Sequence, residues 1–276
     1  MYKLLKFQFR RLFLRSSLYV CLGVIAVPVL FSFYGIASST LSNIQGADYS
    51  MFMIIRQMIS VANLTTLVVI FTSIYGCEDS ARGTIKTIYS LGYPRYKIFL
   101  SKFIASSTAA IMMYGIVLLF SIICGLLFAK PVGSGNIISD FLGYGTEEPD
   151  VVLFCLQQCF IILGAHTFYF MMSELSRKTG ISIVLGIFAP GLISSAFGVA
   201  VMIAVGVIDD QKFSETAQNI FFTFSQYWLP TTLSSLTQLF TGTTSVNLWI
   251  SILVNIGYVI LFGGLSMLIT YKKQIK

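Results

Sequence analysis

The sequence predicts an all-α integral membrane protein with six transmembrane helices, and three observations predict it. Hydrophobic residues make up 56% of the chain and charged residues 11%, with a mean hydropathy of +0.83; that is too apolar for a water-soluble domain of this length. The apolar residues gather into runs long enough to cross a bilayer, which takes roughly 20 residues. The charges fall between those runs, basic in one gap and mainly acidic in the next.

Residues 1–15 read as an amphipathic interfacial helix. Leu5, Phe9, Leu12 and Phe13 fall on one helical side, with Lys3, Lys6, Arg10 and Arg11 around the other, a pattern that suits an anionic leaflet. An ordinary basic flank that sets topology accounts for the charges alone. The first span, 18–38, exceeds the roughly 7 to 15 apolar residues of a secretory signal, so it is expected to be retained. The other five spans fall at 55–77, 102–128, 151–173, 181–207 and 248–270, and the whole chain, 1–276, reads as one transmembrane domain.

Orientation follows from the basic residues. Of the 18 Lys and Arg residues, 15 lie in the N-terminal stretch, the 78–102 and 174–178 connectors and the tail. The other side holds Arg56, Lys130 and Lys212 with the acids Asp48, Asp140, Glu147, Glu148, Asp150, Asp209, Asp210 and Glu215. The positive-inside rule makes the basic side cytoplasmic, with both termini on it. The pI of 9.1 therefore reports topology and argues against nucleic-acid binding.

The block from Glu78 to Lys102 separates spans two and three. Thr84 follows the permissive Gly83 as a helix cap, and Ile85, Ile88 and Leu91 repeat at near-helical spacing. Gly92 can end that helix, and Pro94 fits the first position of the next. A helix of about two turns over 84–91 results. Lys86, Arg95 and Lys97 surround its apolar positions. Glu78, at the end of span two, either pairs with Arg82 four residues on or closes the inner mouth of a pathway.

Farther along, the fifth span carries Gly186, Gly191, Ser194, Ser195, Ala196, Gly198 and Ala200, with Pro190 as a kink. Small residues permit close helix approach in lipid. A subunit interface along Gly191, Ser194, Ser195 and Gly198 and packing within one subunit give the same signature. Segment 208–247 is dense in aromatics. Phe221, Phe224, Tyr227, Trp228 and Pro230 suggest re-entrant external half-helices over about 216–241, acting as an external gate or as an interfacial anchor.

Catalytic chemistry finds little support. His166 is the sole histidine, which excludes two-histidine zinc motifs and leaves a hydrogen-bonded structural histidine or an isolated proton relay. Cys21, Cys77, Cys124, Cys155 and Cys159 fall in or at the ends of spans, as apolar packers; Cys155 and Cys159 share a face but make a poor metal set, so no metal is expected. Gln157, Gln158, Asn63 and Asn255 are polar residues within spans. The dipeptide Gly-Lys of the Walker motif does not occur, so an ATPase, if one drives the protein, is a separate chain.

The Glu78–Lys102 block resembles the cytoplasmic connector between spans two and three of ABC-type exporter permeases of the ABC type 2 membrane-domain family. In that family an acidic residue ends span two, a Gly-Thr pair follows, and a short coupling helix runs into a Pro-Arg restart. Those features fall here on Glu78, Gly83 with Thr84, the run from Ile85 to Leu91, and Pro94 with Arg95. The resemblance implies a permease subunit, not an enzyme, that pairs with a second copy of itself or a related permease on two ATPase subunits, which bind ATP and Mg. It implies that Ile85, Ile88 and Leu91 anchor the coupling helix on the ATPase, with Lys86, Arg95 and Lys97 as salt partners. Small permeases of this kind resemble toxin-export and antimicrobial-peptide immunity systems, so the expected cargo is an amphipathic peptide, with lipid-like or drug-like compounds next. An ion-coupled secondary transporter or channel is the alternative, although no span shows the buried acid or base it needs.

Overall fold

A computed structural model of the chain describes residues 2–14, 16–41, 51–61, 64–81, 92–128, 151–176, 178–207 and 248–272. Those residues form eight helices and no strand: α1 (Tyr2–Phe13), α2 (Ser16–Leu41), α3 (Met51–Val61), α4 (Leu64–Ala81), α5 (Arg95–Phe128), α6 (Val151–Ser176), α7 (Thr179–Val207) and α8 (Leu248–Lys272). Among the described residues, four stretches are long and apolar enough to cross a membrane: Ser16–Ser38, Arg95–Phe128, Val151–Ser176 and Trp249–Lys272. The chain is an all-helical protein of multi-pass membrane type.

Helix α6 is the spine, packed by α4, α5, α7 and α8. Its partners give the direction of each neighbour. Along α5, Lys102 meets Glu174, Ser106 meets His166, and Tyr114 meets the carbonyl of Cys155, so α5 runs antiparallel to α6. Along α8, Asn255 lies beside Gly164, Phe262 meets Phe168 with ring centroids 5.1 Å apart, and Thr270 meets Glu174, so α8 runs parallel to it. In α7, Ser182 bonds Ser73 while Gly186 touches Val69 and Tyr169, which makes α7 antiparallel to α4 and α6. One end of the bundle therefore collects α1, the C-terminal ends of α4, α6 and α8, and the N-terminal ends of α5 and α7.

Close approach explains why three of these contacts are tight. A Cβ on Gly76 would run into Ser173, one on Gly164 would lie 2.8 Å from Asn255 Oδ1, and one on Gly186 would lie 2.8 Å from Val69. Gly186 thus serves packing within this chain, as small residues do between helices in lipid.

The span expected at 55–77 falls on α3 and α4, with residues 62 and 63 outside the described set. The buried face of α1 departs from the sequence reading. Leu4, Gln8 and Leu12 are buried, whereas Leu5 and Phe9 are half-buried and Phe13 is 42% exposed. Gln8 goes inside because its Oε1 accepts the Tyr75 hydroxyl at 2.8 Å, which offsets the cost of burying a carboxamide.

Candidate functional site

The shared end of the bundle carries a charged and hydrogen-bonded network. On its first side, Arg11 of α1 meets Glu78 of α4 at 3.2 Å, with side chains only 13% and 7% exposed. The Arg11 guanidinium also lies over the Tyr75 ring, 5.9 Å from its centroid. Together with the Gln8–Tyr75 bond, these contacts pin α1 onto the last turns of α4. A pair this sheltered from solvent is screened less than a surface pair.

The second side is built around Lys102, which is 4% exposed. Its ammonium donates to the Gly76 carbonyl of α4 and to Glu174 Oε1 of α6 at 3.3 Å. It lies 5.9 Å from the Phe170 ring centroid. Glu174 Oε2 in turn accepts the Thr270 hydroxyl of α8 at 3.4 Å. One cation thus joins α4, α5 and α6, and its carboxylate partner adds α8. Helix α5 has the reach for this, since its 34 residues extend about 51 Å, against about 30 Å of bilayer core.

Between these two sides, the chain leaves α4 and returns as α5. Residues 82–91 lie outside the described set, and with them Gly83, Thr84, Ile85, Lys86, Ile88 and Leu91 of the expected coupling helix. The flanks are described. Gly92 has φ +77°, a left-handed conformation suited to ending a turn. The Pro94 carbonyl accepts the amides of Lys97 at 3.0 Å and Ile98 at 3.4 Å. With α5 beginning at Arg95, Pro94 stands one place ahead of the first helical residue, as its cap. Arg95 donates to the Tyr271 carbonyl at the end of α8, 3.0 Å away, so it is engaged inside the chain rather than held out as a salt partner alone. Lys97 is half-buried, its ammonium 5.8 Å from the Tyr96 ring centroid.

The remaining sequence candidates are placed unevenly. Phe221, Phe224, Tyr227, Trp228 and Pro230 lie outside the described residues. Gly191, Ser194, Ser195 and Gly198 lie in α7, where Ser195 is exposed. Glu78 is placed in the network, with Arg11 as a partner 67 positions away in sequence. Gln8, Tyr75, Lys102, Glu174 and Thr270 form the rest of it. Sequence reasoning did not single these out, although Lys102 and Glu174 each stand at the charged end of a long apolar run.

Two more polar levels stand along α6. At mid-helix, fully buried His166 lies between Ser106 and Ser107, with ring nitrogens 3.0 Å and 3.3 Å from their hydroxyls, and against the rings of Phe103 and Phe170. Farther from the charged end, Gln157 and Gln158 of α6 and Ser251 and Asn255 of α8 are fully buried. On another face, a groove of about 460 Å³ opens between α2 and α3, lined by Val27, Pro28, Phe31, Ser32, Gly35 and Gln57. No cluster of His, Cys, Asp or Glu suited to a metal occurs among the described residues.

Long apolar helices of opposed direction, with charge gathered at one end, define a multi-pass helical membrane protein. No protein-family model matches the chain, and no curated protein sequence does.

Proposed function

We propose that the chain is the membrane-spanning permease subunit of an ATP-driven exporter of the ABC type. In this reading α2, α3 with α4, α5, α6, α7 and α8 supply six spans, the charged end faces the cytoplasm, and segment 208–247 supplies external half-helices. Residues 84–91 are the coupling helix, docking on two separate ATPase subunits that carry ATP and Mg. A second permease copy completes the assembly. The cargo is an amphipathic or hydrophobic compound, a peptide first.

The observation that supports this reading best is the anchoring of both ends of the connector. Glu78, just before it, is held by Arg11 at 3.2 Å. Arg95, just after it, is held by the end of α8 at 3.0 Å. Lys102, two turns into α5, ties α4 to α6. A push on residues 84–91 therefore reaches α1, α4, α5, α6 and α8 through short polar contacts, as a rigid-body stroke requires. A loop that only sets topology needs no such ties.

Substituting Ile88→Asp tests the reading. The intact complex, purified from native membranes through a tag on this chain, is expected to hydrolyse ATP, and the variant is expected to lose that associated activity while remaining inserted. ATPase activity recovered equally with the variant overturns the coupling assignment. Proton-dependent transport in vesicles without ATP selects the ion-coupled carrier instead.

A further inference from the structure

Helix α1 lies across the charged end of the bundle rather than along any one helix. Leu4 packs on Ile98 of α5, while Gln8 and Arg11 meet Tyr75 and Glu78 of α4. The far end of α1 is tied to the first long apolar helix. Helix α2 begins at Ser16, three residues after α1 ends at Phe13, and the Tyr19 hydroxyl donates to the Phe13 carbonyl at 2.9 Å. Since Ser16–Ser38 is long and apolar enough to cross a membrane, α1 sits at the level where α2 enters the bilayer.

With Leu4, Gln8 and Leu12 turned into the protein, helical periodicity points Lys3, Lys6 and Arg10 almost directly away from it. All three are exposed, and no carboxylate among the described residues pairs with them. They form a cationic stripe about 10 Å long. Apolar side chains border the stripe on both sides, Phe7 and Leu14 along one edge and Tyr2 and Phe13 along the other, all exposed. Hydrocarbon excludes three such cations. The headgroup level of a bilayer accepts both kinds of side chain, because phosphates lie there directly above acyl carbon and aromatic rings settle between them.

We propose that the outward face of α1 is a binding site for anionic phospholipid, with Lys3, Lys6 and Arg10 holding the headgroup phosphates. Leu4 and Leu12 are committed to the protein, so charge rather than a sunken apolar face carries the membrane contact. Arg11 stands on the same helix, facing the other way toward Glu78 at 3.2 Å. Helix α1 is thus a clasp, with lipid on its outer side and the end of α4 on its inner side. The site needs neither cargo nor ATPase and does not rest on the transport reading.

Amide hydrogen exchange of the full chain tests this in nanodiscs of phosphatidylcholine alone and of equal parts phosphatidylcholine and phosphatidylglycerol. Each cation held at an anionic surface is worth about fivefold in affinity, so exchange within residues 2–13 is expected to slow about tenfold or more with phosphatidylglycerol, while α5 to α8 exchange alike in both. Equal exchange of α1 in the two bilayers overturns the proposal, and that comparison needs no variant. So does slowing shared equally by every helix, which is a general effect of the bilayer. The triple variant Lys3→Gln, Lys6→Gln and Arg10→Gln keeps the inward face of α1 and is expected to lose the lipid dependence; a dependence that survives it overturns the assignment to these residues. Inorganic phosphate added to the phosphatidylcholine discs is expected to protect nothing, and protection equal to that of phosphatidylglycerol overturns the lipid as the source of the phosphate.

Discussion

Glu174 and Gln158, near the two ends of α6, handle buried polarity differently. At the charged end, Glu174 shares Lys102 with the Gly76 carbonyl and accepts from Thr270, so charge, donor and acceptor are matched across four helices. About 24 Å away along the same helix, Gln158 has no partner for either amide atom. A matched network holds one arrangement, and the difference assigns Lys102 and Glu174 to holding four helices together.

The sharpest way to break that comparison is to remove Lys102. Lys102→Met leaves the Glu174 carboxylate in its sheltered site without its cation, and breaking a buried pair costs about 3–5 kcal/mol. SDS-titrated unfolding of the purified protein should show a loss of that size. Lys102→Met combined with Glu174→Gln should recover part of it, because no lone charge remains. A single variant as stable as the parent removes the holding role.

Arg11→Ala comes next. It removes the cation 3.2 Å from the sheltered Glu78 carboxylate, a smaller loss than at Lys102, where the ion pair also carries hydrogen bonds. The loss should be accompanied by release of α1, read as faster proteolysis within residues 2–13, while α5 to α8 keep their protection. Uniform loss of protection across all helices contradicts a local pin.

How much of this was legible in the sequence depends on the kind of signal. Apolar run length gave helices at α2, α6, α7 and α8 to within three residues of their ends and α5 with its start seven residues late, because a hydrocarbon core imposes a length on an apolar run but not on a polar extension beyond it. Gly92 was legible because its position calls for a left-handed turn. The face of α1 was not: periodicity counts Gln8 as polar and places it outside, and only Tyr75, 67 positions on, makes burying it favourable. The Arg95 contact was not legible for a related reason: it reaches the Tyr271 carbonyl at the end of α8, whose position no local pattern reveals. Gln157, Gln158 and Asn255 stood out as polar residues within spans, but whether such residues bond one another depends on helix register, and that is a tertiary property.

Tyr75→Phe probes the charged end with a smaller change. Deleting the hydroxyl leaves Gln8 Oε1 buried without its donor, at a cost of about 1–2 kcal/mol. The stacked contact with Phe71, at 5.8 Å between centroids, is kept by the phenyl ring. Gln8→Leu in the same background should restore much of the loss, since both polar partners are then gone. No recovery in the double variant means that the hydroxyl acts on something other than Gln8.

Gln158→Leu carries the smallest expected effect and the one of opposite sign. Polar contacts between membrane helices average about 0.6 kcal/mol, and Gln158 makes none among the described residues, so the packed state has nothing to lose. A side chain of similar reach without polar atoms should leave stability unchanged or raise it by up to about 1 kcal/mol. Were Gln158→Leu to destabilise the protein as Lys102→Met does, the contrast between Glu174 and Gln158 would have no physical basis.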